Sequence, residues 1–354
     1  MANPQDLIQI MLAEESIMSQ NRCYDVRVFC VVLFSFFFIH NTCLIRHSVA
    51  DPPPLMVYCR DAFGESWGQI LTQRFGKRIK VLKISSHGLI TRLRLESHKT
   101  PADMLLGIDT THVSELDHQG LTVHFPYDKR LNNLPAPWPE STLIPLAYGV
   151  LTILRHASTT TMTPLKTLED LCQQAHKVVI PDPRTSTTGL EFLYWVHQQY
   201  GNEAFRVWRC LKPRVLTYPK GLSGSFAIFL ASSDLITVGY STSTLYAKRY
   251  APQQSIRAET MTKAPLQIYG AIITPKGYTH PLTAEVIAFL RSAEFQRMIP
   301  LVSALYPAAL TDLSALLELT EQLPPLPQKI LPPPFLDRHQ KAALIQNWLK
   351  ANQP

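Results

Sequence analysis

Val178-Val179-Ile180-Pro181-Asp182-Pro183-Arg184-Thr185-Ser186-Thr187-Thr188-Gly189-Leu190 reads as strand, polar loop and helix, in that order. Val178 to Ile180 is a short β-branched run that suits a pleated strand. Pro181 and Pro183 end it and hold the chain extended. After the Thr/Ser cluster and Gly189, helical spacing sets in through Leu190, Leu193, Tyr194, Val196 and His197. Serine and threonine cap helices because their oxygens accept the orphan N–H groups of the first turn. The same place can hold an anion, since free N–H groups, hydroxyls and the positive end of the helix dipole converge there. An ordinary N-cap uses the same residues, so this stretch alone leaves both readings open.

Upstream, apolar runs at Leu55–Cys59, Ile79–Ile84 and Ala102–Ile108 alternate with helical patterns at Trp67–Phe75 and Leu89–Glu96. Downstream, strands at 215–218, 235–239 and 266–273 alternate with helices at 204–211, 225–231, 282–291 and 293–298. Strand–helix alternation of this kind builds a parallel α/β sheet. Ligands of such sheets sit beyond the carboxyl ends of the strands. Arg60, Asp61, Ser85, Ser86 and Asp109 all fall at those ends, although each alone is also a common turn residue. Thr142–Leu154 is a long apolar strand region, 220–224 (Lys-Gly-Leu-Ser-Gly) reads as a flexible loop, and Arg338–Lys350 is a closing amphipathic helix.

The chain has 354 residues, enough for two ordinary domains with a substantial core. Its formal net charge of +7 is spread rather than blocked, and no basic run or zinc-finger spacing points to nucleic acid. Val28–Ile39 is an almost unbroken apolar run preceded by Arg22 and Arg27 and followed by the small-residue site Ser48-Val49-Ala50. Its length fits the core of a signal peptide over residues 1–50 better than a membrane span; an uncleaved anchor is the alternative. A periplasmic location follows from that reading. Three cysteines then remain, which allows at most one disulfide, with Cys172–Cys210 as a candidate pair, and leaves Cys59 as a buried inert thiol. His112, His118 and His124 recur every six residues across an expected loop and strand and read as solvent-exposed. No metal-ligand spacing is present, and no cofactor is expected.

Several blocks resemble the periplasmic thiamine-binding proteins of ABC importers. They are 102–109 (Ala-Asp-Met-Leu-Leu-Gly-Ile-Asp), Pro181–Gly189 with its Asp-Pro-Arg-Thr-Ser-Thr core, 233–243 with Tyr246, and 293–300 followed by Tyr306-Pro307. The likeness runs from about residue 57 to 348 and is dense only over 181–246. It implies an α/β, two-lobed periplasmic-binding-protein (type II) clamp with a mixed, mostly parallel sheet in each lobe. Residues 51–146 plus 268–354 would form lobe I and 147–267 lobe II. A small-molecule ligand, thiamine or a thiamine phosphate, would lie between them, and the expected monomer would deliver it to a permease in the inner membrane.

Carried over residue by residue, the resemblance implies that Ser186 faces the phosphate end of the ligand, that Tyr240 and Tyr246 line it, and that Asp61 and Trp67 belong to the first loop. Arg60 stands where the family has a tyrosine, Ser85-Ser86 where it has an acidic–glycine pair, and Leu222 where it has a tryptophan. A desolvated cation–π contact is worth about 2 kcal/mol, so these changes weaken the family's way of holding a cationic aromatic. Tyr148, Tyr218, Phe226, Tyr269 and Tyr306 are placed to refill the cage. Arg60 and Ser85 also shift the cleft toward positive, which favours a more anionic ligand, a phosphonate or phosphorylated compound, as the alternative. A thiamine-degrading enzyme on the same fold is the third reading, with Cys59 near Asp61 as its nucleophile; a binding protein rather than an enzyme is expected.

Overall fold

The structure, a computed structural model, describes residues 52–139, 141–159, 163, 165–309 and 326–353. The expected signal peptide, residues 1–50, lies outside them. Eleven strands are present among the described residues: β1 (Leu55–Arg60), β2 (Ile79–Ile84), β3 (Met104–Asp109), β4 (Ile144–His156), β5 (Lys177–Val179), β6 (Val215–Thr217), β7 (Leu235–Tyr240), β8 (Ile256–Ala258), β9 (Lys263–Ile273), β10 (Tyr306–Pro307) and β11 (Lys329–Leu331). Their order is β2-β1-β3-β9-β4-β7-β5-β6, with β8 and β10 added to β4 and β11 to β9. At one end β1 pairs parallel with β2 and β3. At the other, β5 pairs parallel with β6 and β7. The long strands β4 and β9 run antiparallel to each other in the middle. All thirteen residues of β4 are buried, as expected of an apolar strand covered on both faces.

Two cores follow from this order. In one, Leu55, Val57, Leu71, Leu89, Leu93, Met104 and Leu105 are buried around β1 to β3. In the other, Leu154, Val179, Phe226, Phe229, Leu235, Ala247 and Ala258 pack together around β4, β5, β7 and β8. The closing helix Arg338–Asn352, grouped by sequence with the first lobe, packs on the helices Thr187–Tyr200 and Ala204–Leu211 that cover the second core. The Trp348 ring meets Tyr218 edge-on at 5.0 Å, and the Tyr218 hydroxyl donates to Asn352 at 2.9 Å. Lys341 alone of these contacts reaches back, to Glu115 at 3.4 Å.

Cys172 and Cys210 form a disulfide with Cα atoms 5.6 Å apart, tying Asp170–Gln173 to Ala204–Leu211. It closes a loop 38 residues in separation. Chain-entropy arguments put such a link at roughly 2–4 kcal/mol. Reduction is expected to lower the urea midpoint accordingly, and a midpoint unchanged by dithiothreitol would show the link to be thermodynamically idle.

Gly107 decides where β3 delivers its last residue. Its φ of +78° is a left-handed conformation, and a Cβ there would lie 2.4 Å from the Phe63 ring. The β3–β9 register shifts at this point, between Leu106 and Ile108. The bulge sets Asp109 opposite Tyr269, at the sheet's carboxyl edge.

Candidate functional site

Four elements converge on one buried polar cluster. Asp109 caps the helix Thr110–His118, with its Oδ1 accepting the Thr111 N–H at 3.0 Å. Arg60, the last residue of β1, donates from Nη1 to Asp109 Oδ2 at 2.7 Å and from Nη2 to Thr187 Oγ1 at 2.9 Å. Thr187 opens the helix Thr187–Tyr200 and donates to Asp109 Oδ2 at 3.2 Å. Arg60 and Asp109 therefore bridge directly from the β1–β3 end of the sheet to the helix that covers the other end. His112 Nδ1 lies 2.9 Å from Asp109 Oδ1.

The network continues into the second core. Tyr240, the last residue of β7, donates to Glu191 Oε2 at 2.7 Å and meets the Tyr269 hydroxyl at 2.7 Å. Thr188 Oγ1 is 3.5 Å from the same Tyr240 hydroxyl. The Arg60 guanidinium carbon sits 5.7 Å from the Tyr269 ring centre. Phe63 packs on Tyr269 at 5.2 Å and stacks on Trp67 at 4.2 Å, so an aromatic column backs the polar cluster.

Electrostatics follow from burial and pairing. Burial works against the Asp109 carboxylate, but His112, Arg60 and Thr111 outweigh it and hold its pKa well below the ordinary range. Burial likewise works against the Arg60 cation, and Asp109, Tyr269, Tyr240 and Glu191 overcome it. Glu191 goes the other way. Desolvation raises its pKa well above the usual carboxylate value, Asp109 adds to the rise, and the bonds from Tyr240 and the charge of Arg60 only partly oppose it. Tyr240 and Tyr269 are pushed upward mainly by burial.

The residues singled out from sequence are distributed unevenly. Arg60 and Tyr240 lie in the cluster. Ser186 is the N-cap of the neighbouring helix, buried, with its Oγ accepting the Gly189 N–H at 3.3 Å. Trp67 is wholly buried in the aromatic column behind the cluster. Asp61 is exposed, and its Oδ1 accepts its own neighbour's N–H, from Ala62, at 2.9 Å. A short helix, Asp61–Phe63, follows β1 directly where the resemblance implied a loop, and the Asp61 side chain points outward. Ser85 caps the helix Ser86–Glu96 by accepting the Gly88 N–H at 3.2 Å, and Ser86 is that helix's first residue. Leu222 is half-buried in the first turn of the helix Gly221–Leu230, where a flexible loop was expected. Tyr246 is 46 % exposed and packs on Phe226 and Tyr250 instead.

His118 and His124 are exposed as expected. His112 is not fully so, because a helix rather than a loop follows Asp109 and places the imidazole three residues on, against its cap. Thr187 lies in the hydroxyl cluster read as a helix start, whereas Glu191 and Gln267 carry no sequence signal of a site, since each suits an ordinary helix or strand. Cys59 is buried, and desolvation first, with Asp61 adding to it, pushes its thiol up to about 12. A thiol held in its protonated form is not a nucleophile.

An α/β sheet in two parallel ends joined by two long strands, with a polar cluster between them, defines a two-lobed binding clamp. The model described as Bacterial extracellular solute-binding protein matches residues 61–300, and the chain belongs to that family. It is 29 % identical over 307 residues to the thiamine-binding periplasmic protein of Brucella suis biovar 1 (strain 1330), covering 84 % of this chain and 91 % of the relative. It is 28 % identical over 273 residues to the protein of that name from Escherichia coli (strain K12), covering 74 % and 83 %. A solved periplasmic thiamin binding protein superposes with a TM-score of 0.75 at 26 % identity, over 85 % of this chain and 97 % of that one. Iron-bound HitA from Pseudomonas aeruginosa shares the fold, with a TM-score of 0.65 at 18 % identity over 85 % and 98 % of the two chains. Among the described residues no helix is long and apolar enough to cross a membrane.

Proposed function

We propose that this chain is the periplasmic solute-binding component of an ABC importer and that thiamine or a thiamine phosphate is its ligand. The relatives named for thiamine, matched over most of both chains, carry this reading. The cluster of Arg60, Asp109, Thr187, Glu191, Tyr240 and Tyr269 supports it, because these side chains span the two ends of the sheet where a clamp closes. The protein acts as a monomer, hands its ligand to a membrane permease and performs no catalysis itself. Lobe I comprises 51–146 with the segment from 268 to Pro307, and lobe II 147–267; the packing of Trp348 on Tyr218 favours placing the closing helix with lobe II. Ser186 and the N–H groups beside it take the anionic end of the ligand.

Calorimetric titration of the purified chain with thiamine, thiamine monophosphate and thiamine diphosphate tests this. Sub-micromolar affinity for at least one of the three is expected. In Ser186→Ala, the phosphate forms should weaken by roughly tenfold, the worth of one hydrogen bond to a charged group, while thiamine itself changes little. Silence from all three overturns the reading. Arg60 in the cluster favours a second one, a phosphonate or phosphorylated small molecule, and binding of such an anion in thiamine's place would establish it.

A further inference from the structure

Two buried polar atoms of the cluster are left without a hydrogen-bond partner. One is Glu191 Oε1, the other Gln267 Nε2, and each residue is 1 % exposed. A buried polar atom without a partner costs about 1–3 kcal/mol, and such atoms in native structures call for an explanation. Their neighbours are fixed. Gln267 Oε1 accepts from Thr110 Oγ1 at 2.9 Å, and Nε2 is the amide's open donor. Glu191 Oε2 accepts from Tyr240. Gln267 and Tyr269 lie two residues apart on β9, so they point from one face of the strand. Tyr269 reaches Tyr240, which reaches Glu191.

We propose that Glu191 is the specificity-determining carboxyl of the cleft and that its Oε1 receives an N–H of a cationic or amino-substituted heterocyclic ligand. Gln267 Nε2 supplies the companion donor, for a ring nitrogen or oxygen of the same ligand. This inference rests on the thiamine reading and names the residue that enforces it. Oε2 already accepts from Tyr240, so Oε1 is the oxygen open to a ligand. A ligand that brings positive charge and an N–H to that oxygen does what Arg60 does only in part. The charges facing Glu191 are fixed. Asp109 is pinned as carboxylate by His112 and Arg60 despite burial, Arg60 stays cationic, and Tyr240 and Tyr269 stay protonated. Thr188 faces the same hydroxyl and does not titrate.

The test is calorimetric titration of the purified chain near pH 7 with thiamine and with an analogue that lacks the pyrimidine amino group. Wild type should bind the analogue roughly tenfold or more weakly than thiamine. Glu191→Gln keeps an acceptor for Tyr240 and should melt near wild type and bind thiamine roughly tenfold or more weakly, as loss of a bond to a charged group requires. If Glu191→Gln binds thiamine within twofold of wild type, or wild type binds the analogue as tightly as thiamine, the inference is wrong and the thiamine reading stands. If wild type binds none of thiamine, thiamine monophosphate and thiamine diphosphate, both fall. The wild-type comparison of the two ligands decides the matter even if the variant does not fold.

Discussion

Gly189→Ala is expected to destabilise the protein by about 3 kcal/mol or more, near the top of the range for overpacking. The added Cβ would lie 2.2 Å from the Pro181 carbonyl oxygen, 2.8 Å from Pro183 N and 2.9 Å from the Asp182 carbonyl carbon. All three are backbone atoms, so no side-chain rotation relieves the clash. Alanine is the better helix former by about 1 kcal/mol, and that gain is too small to reverse the sign. Relief requires the helix Thr187–Tyr200 to move away from the loop after β5. Such a shift loosens the Ser186 cap and draws Thr187 from Arg60. The expected result is a large drop in the urea midpoint together with weakened ligand binding. A loss below about 1 kcal/mol would mean the loop yields more easily than its two prolines suggest.

Asp109→Ala is the second large effect. It removes the carboxylate facing the largely buried Arg60 guanidinium, which keeps its bond to Thr187. Breaking a buried pair from one side costs about 3–5 kcal/mol. The lower end is expected, because Asp109 is one of the charges that raise the Glu191 pKa. Once it is gone, Glu191 ionises more readily toward Arg60 and recovers part of the loss. Arg60→Leu should cost less, since Asp109 keeps His112 and the Thr111 N–H. The pH dependence has a definite sign. Asp109 titrates lower in the folded chain than its unfolded value of about 3.9. Its contribution is therefore complete above that pH and fades as pH falls below it. The wild-type and Asp109→Ala stabilities should converge as pH falls below about 4. Parallel curves down to pH 2 would show that Asp109 is not held as a buried carboxylate.

Local physics made the frame legible. Apolar runs became β1, β2, β7 and β9, and the Ser186 cap sits where the hydroxyl cluster placed it. The cluster itself was legible only in part. Arg60 and Asp109 stand out because strand ends collect ligands, and their mutual bond depends on a bulge at Gly107 that periodicity does not show. Glu191 was hidden because an acid within a helix normally marks the wet face, yet here the whole first half of that helix is buried. Tyr246 and Asp61 went the opposite way, since the turn of one helix and the early start of another rotate them outward. Pattern tells which face of an element is covered; which distant element covers it decides whether a polar residue there becomes part of a site.

The closing helix has one further consequence. The strand β1 lies at one end of the sheet, and the closing helix packs on the helices that cover the other. In the lobe division proposed above, β1 and the closing helix ride on different lobes, and the gap between Leu55 and Asn352 is a built-in ruler of how far the jaws are apart. A donor dye before Leu55 and an acceptor after Asn352 would turn capture of a molecule directly into light, with no label near the cleft.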